Sequence, residues 1–412
     1  MEEITMNQAT RHFIQEHTGD DVRQLALRGI KDPAVDLTFA LEQIAGRQKA
    51  KTKLPTWAAI DGIIYPPHLS MEQCSSEQTA RYKTRVAGKG TLVVDLTAGF
   101  GVDMAFISQG FERAVHVERQ PQLCAISSEN YKCLGLHHIE VVCGDGINFL
   151  HSIDHADLIF LDPARRDEHG GRTYGIADCT PNVLEILDEM LEKADRVMLK
   201  LSPMLDWRKA VEDLGEKVSE VHIVSVDNEC KELLLIMTKE KKTLKIFCVN
   251  NENVFSFDRD YKSPTHLSGI TNPLQEETVC SSPSQGGAGD GSCHFLFEPN
   301  ASIMKAGCFE LLEQRYDIRQ LDPNSHLFVS DTEIPDFPGR HFTIERMTTM
   351  NKHDLKAALA GIDKANITVR NFPMSVAELR KRLKLRDGGD VYVFATTVAG
   401  QGHQLLICRK KS

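Results

Sequence analysis

Residues Thr91–Asp103, TLVVDLTAGFGVD, decide how the rest of the chain reads. A short apolar run ends in Asp95, Gly99 and Gly101 flank Phe100, and an apolar helical pattern sets in at Val102. The order is strand, tight glycine turn, helix. Small residues let a backbone approach a ligand closely, and free amides at a helix start favour polar or anionic groups. An ordinary strand–turn–helix corner shows the same pattern, so the neighbouring segments have to discriminate.

They do so by repetition. A second run, AVHVE, ends in Glu118, 23 residues after Asp95. A third, HIEVV, leads to Asp145-Gly146, and a fourth, ADLIFL, leads to Asp162-Pro163. Acids thus stand at or just past the ends of four successive strands, where open α/β sheets bind ligands. A dinucleotide fold would explain Gly99, Gly101 and Glu118, because an acid about 20 residues on can hold a ribose hydroxyl. It leaves Asp145 and Asp162-Pro163 unexplained, and the third glycine of that fingerprint is missing.

The stretch 91–238 resembles a class I S-adenosylmethionine-dependent methyltransferase. DLTAGFGVD is similar to that family's first motif, Glu118 to its ribose-binding acid, Asp145 to its adenine-side acid and LDPA to its fourth motif. Within the superfamily the chain looks closest to RNA methyltransferases, the cap-type guanine enzymes included. Its whole architecture is similar to bacterial methyltransferases with a THUMP-like C-terminal domain. The resemblance implies an α/β fold: a Rossmann-like seven-stranded sheet with a helical N-terminal extension and small ferredoxin-like and THUMP-like modules.

It also implies a set of contacts to S-adenosylmethionine. Asp95, Thr97, Ala98, Gly99, Gly101 and Asp103 would surround the methionine part, with Glu118 accepting both ribose hydroxyls. Asp145 and Gly146 would sit on the adenine side, and Asp162 and Pro163 beside the methyl group. Enzymes that methylate exocyclic amines of bases usually follow this acid and proline with a second proline and an aromatic ring. Here Ala164, Arg165 and Arg166 follow instead. Asp162 can still orient an amine. Arg165 and Arg166 can stack on a base, hold a phosphate or lie solvated, and Tyr174 on the same loop can supply a ring. Lys200 can stabilise a deprotonated group or pair with Asp162. Attack on a pyrimidine carbon needs a thiolate near the cofactor. Ala164 and Ser202 stand where those enzymes carry cysteine, and Cys179 reads as a packing residue.

The 412 residues suffice for two or three domains, with 41% hydrophobic and 26% charged residues, ordinary for a globular chain. No apolar run approaches the roughly 18 residues of a membrane span. The opening MEEITMNQATRHF has no secretory pattern, and the 11 cysteines include no closely spaced pair of the metal-binding kind. A cytoplasmic protein with reduced thiols is expected. His137-His138, His151 and His155 lack partners at metal spacing and read as surface histidines.

Net charge is −10, unevenly placed. Residues 341–412 hold 13 basic and 6 acidic side chains, so the rest of the chain carries −17. A basic end on an acidic body suggests a module that meets phosphates. The segment AELRKRLKLRD concentrates Arg380, Lys381, Arg382, Lys384 and Arg386, although a solvated face has the same composition.

Four regions follow: a helical segment 1–85, a methyltransferase domain 86–239, a β-α-β ferredoxin-like module 240–335 and a basic THUMP-like module 336–412. In the first, Asp32-Pro33 reads as a helix start, and a capped helix begins at Ser75 or Ser76. Residues 260–293 read as loop, and Ala301–Tyr316 as one helix. The resulting expectation is an S-adenosylmethionine-dependent methyltransferase acting on a base nitrogen in RNA, with the basic module as the RNA-binding part. A methyltransferase for a small molecule or protein, and a non-catalytic RNA-binding protein on the same fold, remain open beside it.

Overall fold

Short, nearly continuous apolar runs separated by amphipathic segments build a parallel sheet covered by helices. The computed structural model describes residues 6–30, 32–165, 175–259 and 294–411. The chain divides into two compact units, 1–226 with 231–247, and 227–230 with 248–412.

The first unit opens with six helices: α1 (Gln8–Glu16), α2 (Val22–Arg28), α3 (Leu37–Lys53), α4 (Pro55–Ala58), α5 (His68–Gln73) and α6 (Glu77–Ala87). The cap of α3 is Asp36, which accepts from the Phe39 amide, and not Asp32, which accepts from Ala34 in the preceding turn. Residues 53–69, expected from Pro55, Pro66 and Pro67 to be a connector, contain α4 and the start of α5. Ser76 caps α6 by accepting from the Thr79 amide.

Then come β1 (Gly90–Asp95), α7 (Val102–Ile107), β2 (Phe111–Glu118), α8 (Pro121–Cys133), β3 (Ile139–Cys143), α9 (Gly146–Ser152) and β4 (Ala156–Leu161). A two-residue antiparallel pair, β5 (Ala164–Arg165) and β6 (Cys179–Thr180), follows β4. The unit finishes with α10 (Val183–Lys193), β7 (Ala194–Leu201), α11 (Trp207–Leu214), β8 (Val218–Val226) and β9 (Glu229–Met237).

These strands stand in the order β3-β2-β1-β4-β7-β9-β8, and the sheet continues past β8 to nine strands rather than the expected seven. The pairs β1–β2, β2–β3, β1–β4 and β4–β7 are parallel, and β9 runs antiparallel to β7. The chain winds outward from β1 to β3 and then crosses back to β4 on the other side of β1. Strand order therefore reverses between β1 and β4, which opens a crevice at their carboxyl ends.

β10 (Lys245–Asn250) carries the chain into the second unit, where β11 (Asn253–Asp258) follows. That unit contains β12 (Phe295–Pro299), α12 (Ala301–Ala306), α13 (Phe309–Tyr316), β13 (Arg319–Gln320), β14 (Phe328–Ser330), β15 (Gly339–Thr348), α14 (Lys352–Ala358), β16 (Asn366–Arg370), α15 (Val376–Leu383), β17 (Val391–Val398) and β18 (Gly402–Lys410). The helix expected over Ala301–Tyr316 is two helices, because Gly307 turns left-handed at φ 66° and ends the first. β13, β14 and β12 continue into β15, β18, β17 and β16 as one seven-stranded sheet. The loop expected over 260–293 lies outside the described residues.

Candidate active site

The turn after β1 is held from three sides. The Leu96 amide donates to the Phe160 carbonyl at 3.1 Å and the Ala98 amide to the Val117 carbonyl at 3.0 Å, so both flanking strands grip it. Gly101 takes φ +82° where α7 begins, a left-handed conformation that costs a residue with a Cβ about 1–2 kcal/mol. A Cβ there would also lie 2.2 Å from the Tyr131 hydroxyl. That hydroxyl donates to the Gly101 carbonyl at 3.1 Å and meets His116 Nδ1 at 2.7 Å. His116 Nε2 is buried and has no partner. Burial pushes His116 down to about 3, consistent with a neutral ring.

Trp57 packs edge-on against Phe100 with ring centres 5.3 Å apart. Glu118, at the end of β2, accepts from the Gly99 amide at 2.9 Å and the Gln120 amide at 2.8 Å. A carboxylate has about four acceptor positions, so two remain beyond these amides. Asp145 caps α9 through Oδ1 by accepting from Ile147 and Asn148, and its side chain is exposed. Gly146 brings that loop onto the turn, since a Cβ at this position would stand 2.1 Å from the Leu96 carbonyl oxygen. The glycine turn, Glu118 and Asp145 therefore border one crevice.

Asp95 is buried and accepts from the Thr97 amide at 2.9 Å. Burial, together with the charges of Asp103 and Asp162, holds its carboxyl well above the ordinary range. The Thr97 hydroxyl in turn accepts from the Asp162 amide at 2.7 Å, which ties the end of β4 to the turn after β1. Asp162 Oδ2 lies 2.5 Å from Lys200 Nζ, and the carboxylate stays about one-third exposed (37%). Burial alone would lower the Lys200 ammonium's pKa. The carboxylates of Asp162, Asp103 and Glu232 outweigh it and hold that pKa above the ordinary lysine value.

Asp103, buried at the start of α7, faces inward. It accepts from the Ser75 hydroxyl at 2.8 Å and stands 3.2 Å from Lys83 Nζ and 3.7 Å from Lys200 Nζ. Burial acts against its charge, and the two ammonium groups prevail to lower its pKa. Lys83 and Glu232 escaped the sequence reading, and Ser75 entered it only as a candidate helix cap. Their signal was faint: Glu77, Thr79, Ala80, Lys83 and Ala87 are the buried residues of α6, so a lysine stands among small residues on the helix's inner face.

Pro163 follows Asp162 and is buried, and Arg165 is placed in β5. Arg166, Gly170, Gly171 and Tyr174 lie outside the described residues. Cys179 is buried, as a packing residue should be. His138 meets the Ser108 carbonyl, and His151 and His155 face Glu189 and Asp195. Among the described residues no group of three or more His, Cys, Asp and Glu could hold a metal. No described helix is long and apolar enough to cross a membrane. In the second unit, Arg380 is engaged by the Ala365 carbonyl and Asp387, and Arg386 by Asp363. Two of the five cations expected to meet phosphate are thus partly neutralised by neighbours.

A glycine turn at the reversal of strand order, two carboxylates with spare acceptor positions and an acid at the end of β4 thus lie along one sheet edge. Comparison with known proteins specifies the class. Residues 339–410 match a family described as THUMP domain-like, and residues 295–338 one described as a ferredoxin-like domain. A crystal structure from Porphyromonas gingivalis W83, classed as a methyltransferase, superposes with a TM-score of 0.81 at 31% identity, covering 98% of each chain. An uncharacterized S-adenosylmethionine-dependent methyltransferase of Mycobacterium tuberculosis (strain ATCC 25618 / H37Rv) is 23% identical over 331 residues, 80% of this chain and 83% of that one. A shorter match, 32% identical over 83 residues, covers 18% of this chain and 34% of the ribosomal RNA small subunit methyltransferase J of Legionella pneumophila (strain Philadelphia 1).

The chain belongs to the S-adenosylmethionine-dependent methyltransferases that carry a THUMP-like C-terminal domain. Its crevice fits that cofactor chemically: Glu118 offers acceptors for hydroxyls, Asp145 an acceptor for an amine, and the glycine turn a close backbone approach.

Proposed function

We propose that the enzyme methylates a nitrogen of an RNA base, with Asp162 orienting the acceptor amine. One observation carries this reading. Asp162 stands at the end of β4, anchored through its amide to Thr97 and through Oδ2 to Lys200, yet about one-third exposed. A carboxylate held in this way can accept from an amine N–H and direct the nitrogen lone pair outward. Methyl transfer is an in-line displacement, so positioning and exclusion of water are the protein's main contributions.

When bound, the cofactor supplies an electrophilic methyl group on a sulfonium. An amine nitrogen that took this methyl group would have to give up one N–H proton. Asp162 is placed to receive that proton and pass it to solvent, and Lys200 holds the carboxylate in position through Oδ2. Glu118, Asp145 and the Gly99–Gly101 turn would bind and orient the cofactor. The basic face of residues 341–412, and the partial match to a ribosomal RNA methyltransferase, support RNA as the substrate class. Lys381, Arg382 and Lys384 are the exposed cations on that face best placed to meet phosphate.

The test is transfer of a labelled methyl group to RNA from a strain lacking the protein, followed by nucleoside mass spectrometry. Label in a single methylated base supports the reading. Label confined to protein or small-molecule fractions overturns it.

A further inference from the structure

We propose that Lys83 and Glu232 form a buried charge-setting pair, in which Lys83 is a positioning residue that holds Asp103 and thereby leaves Lys200 on Asp162. The inference rests on the methyltransferase site described above. It gives the N-terminal helical region a part in that site.

Lys83 lies on α6, outside the strand-end motifs, and is fully buried. Its ammonium donates to both oxygens of Glu232 on β9, at 2.7 and 2.6 Å, and to the Ser75 hydroxyl at 3.1 Å. It also stands 3.2 Å from Asp103. A buried lysine is expensive to maintain in charged form, and its removal leaves its partners uncompensated. A simple helix anchor needs one acid. Here the ammonium touches two, and the second opens the helix that follows the cofactor turn.

The arrangement of charges shows why this matters. Two ammonium groups, Lys83 and Lys200, face three carboxylates: Asp103, Glu232 and Asp162. Asp95 on β1 faces the same cluster, as does Cys74 from the end of α5, and Lys53 of α3 acts on Lys200 from farther away. Asp103 lies between the two lysines, and Lys200 is nearer to Asp162 (2.5 Å) than to Asp103 (3.7 Å). Without Lys83, Asp103 and Glu232 would compete for Lys200 and draw it away from Asp162. With Lys83, these five side chains carry one net negative charge, the complement of a sulfonium cation. S-adenosylhomocysteine lacks that charge, so the ratio of the two ligands' affinities reads the site's charge without any acceptor.

The experiment is calorimetry of S-adenosylmethionine and S-adenosylhomocysteine on the full chain between pH 5.5 and 8.5, for wild type, Lys83→Met and Glu232→Gln. Glu232→Gln keeps shape and should fold. It should lower the affinity ratio in favour of S-adenosylmethionine by about fourfold or more, the effect of one charge roughly 10 Å away in an intermediate dielectric. Lys83→Met should move the ratio the opposite way at high pH. It should also make the ratio fall as pH drops, because a carboxyl deprived of its counter-ion takes up a proton. The double variant should return the ratio to a flat profile. A ratio unchanged within twofold in Glu232→Gln overturns the proposal even if Lys83→Met does not fold, and leaves the pair a packing element. Failure of wild type to bind either ligand would instead refute the cofactor site itself, and failure to methylate RNA would refute only the substrate reading.

Discussion

Replacing Gly101 with alanine tests the site where backbone geometry and cofactor binding meet. The left-handed φ of +82° costs a Cβ-bearing residue about 1–2 kcal/mol. The new methyl group would start 2.2 Å from the Tyr131 hydroxyl and 3.0 Å from His116 Cε1. Both side chains are buried, so neither can swing into solvent. Overpacking of this kind costs about 1–3 kcal/mol. The total, about 2–5 kcal/mol, corresponds to roughly 4–20 °C in Tm for a unit of this size. Gly99→Ala is the control: φ is +55° and nothing lies within 4 Å of its Cβ, so only the backbone cost of about 1–2 kcal/mol remains. Thermal unfolding followed by circular dichroism measures the cost in each variant. Gly101→Ala should be the less stable of the two, and Gly101→Ala with Tyr131→Phe should recover part of the loss by removing the clashing hydroxyl. Equal melting of the two alanine variants, or no recovery in the double variant, would refute the steric argument.

Other expectations concern separate parts of the molecule. Glu118→Ala should weaken S-adenosylmethionine binding roughly tenfold to a hundredfold, because a charged acceptor contributes about 1.5–3 kcal/mol; unchanged affinity by calorimetry would remove Glu118 from the site. Asp162→Asn should lower turnover on the identified RNA while leaving cofactor affinity within a few fold, and a rate equal to wild type would move the acceptor position elsewhere. His116 is held neutral, with its pKa lowered from 6.5 to about 3, so the unfolded chain binds the extra proton first. Its contribution to stability is unchanged above about pH 6.5 and falls by about 1.4 kcal/mol per pH unit as pH drops from there toward 3. Denaturant titrations of His116→Gln should show a flatter acid limb, and an unaltered slope would count against a buried neutral ring. Lys381→Gln with Arg382→Gln should flatten the salt dependence of RNA binding by about 0.7 for each phosphate no longer neutralised on single strands. An unchanged slope in filter binding would place the RNA surface elsewhere.

The strand-end acids and the glycine turn were readable from sequence because their constraint is local. A strand of alternating or continuous apolar residues, a glycine at positive φ and a carboxylate at a strand end each leave a signature within a few neighbours. Glu118, Asp145 and Asp162 could therefore be aligned along one sheet edge before any coordinates. The helix break at Gly307 was missed because a lone glycine in a helical pattern has no unique meaning until its φ is known. The continuity of one sheet across the expected 335/336 boundary was invisible for a different reason: strand pairing between β12 and β15 joins residues dozens of positions apart, and local composition carries no record of a partner.

The same limit applies within the site. Asp103 reads as a cofactor contact by position, yet the fold turns it toward Ser75, Lys83 and Lys200. Lys83 and Glu232 are 149 residues apart and meet only because α6 packs against β8, the sheet neighbour of β9. Sequence determined the sheet, its order of acids and the kind of ligand they suit, since these follow from short-range periodicity and chemistry. Tertiary packing decided which charges neutralise one another, because that depends on burial and separation in space, and neither is a property of any single stretch of chain.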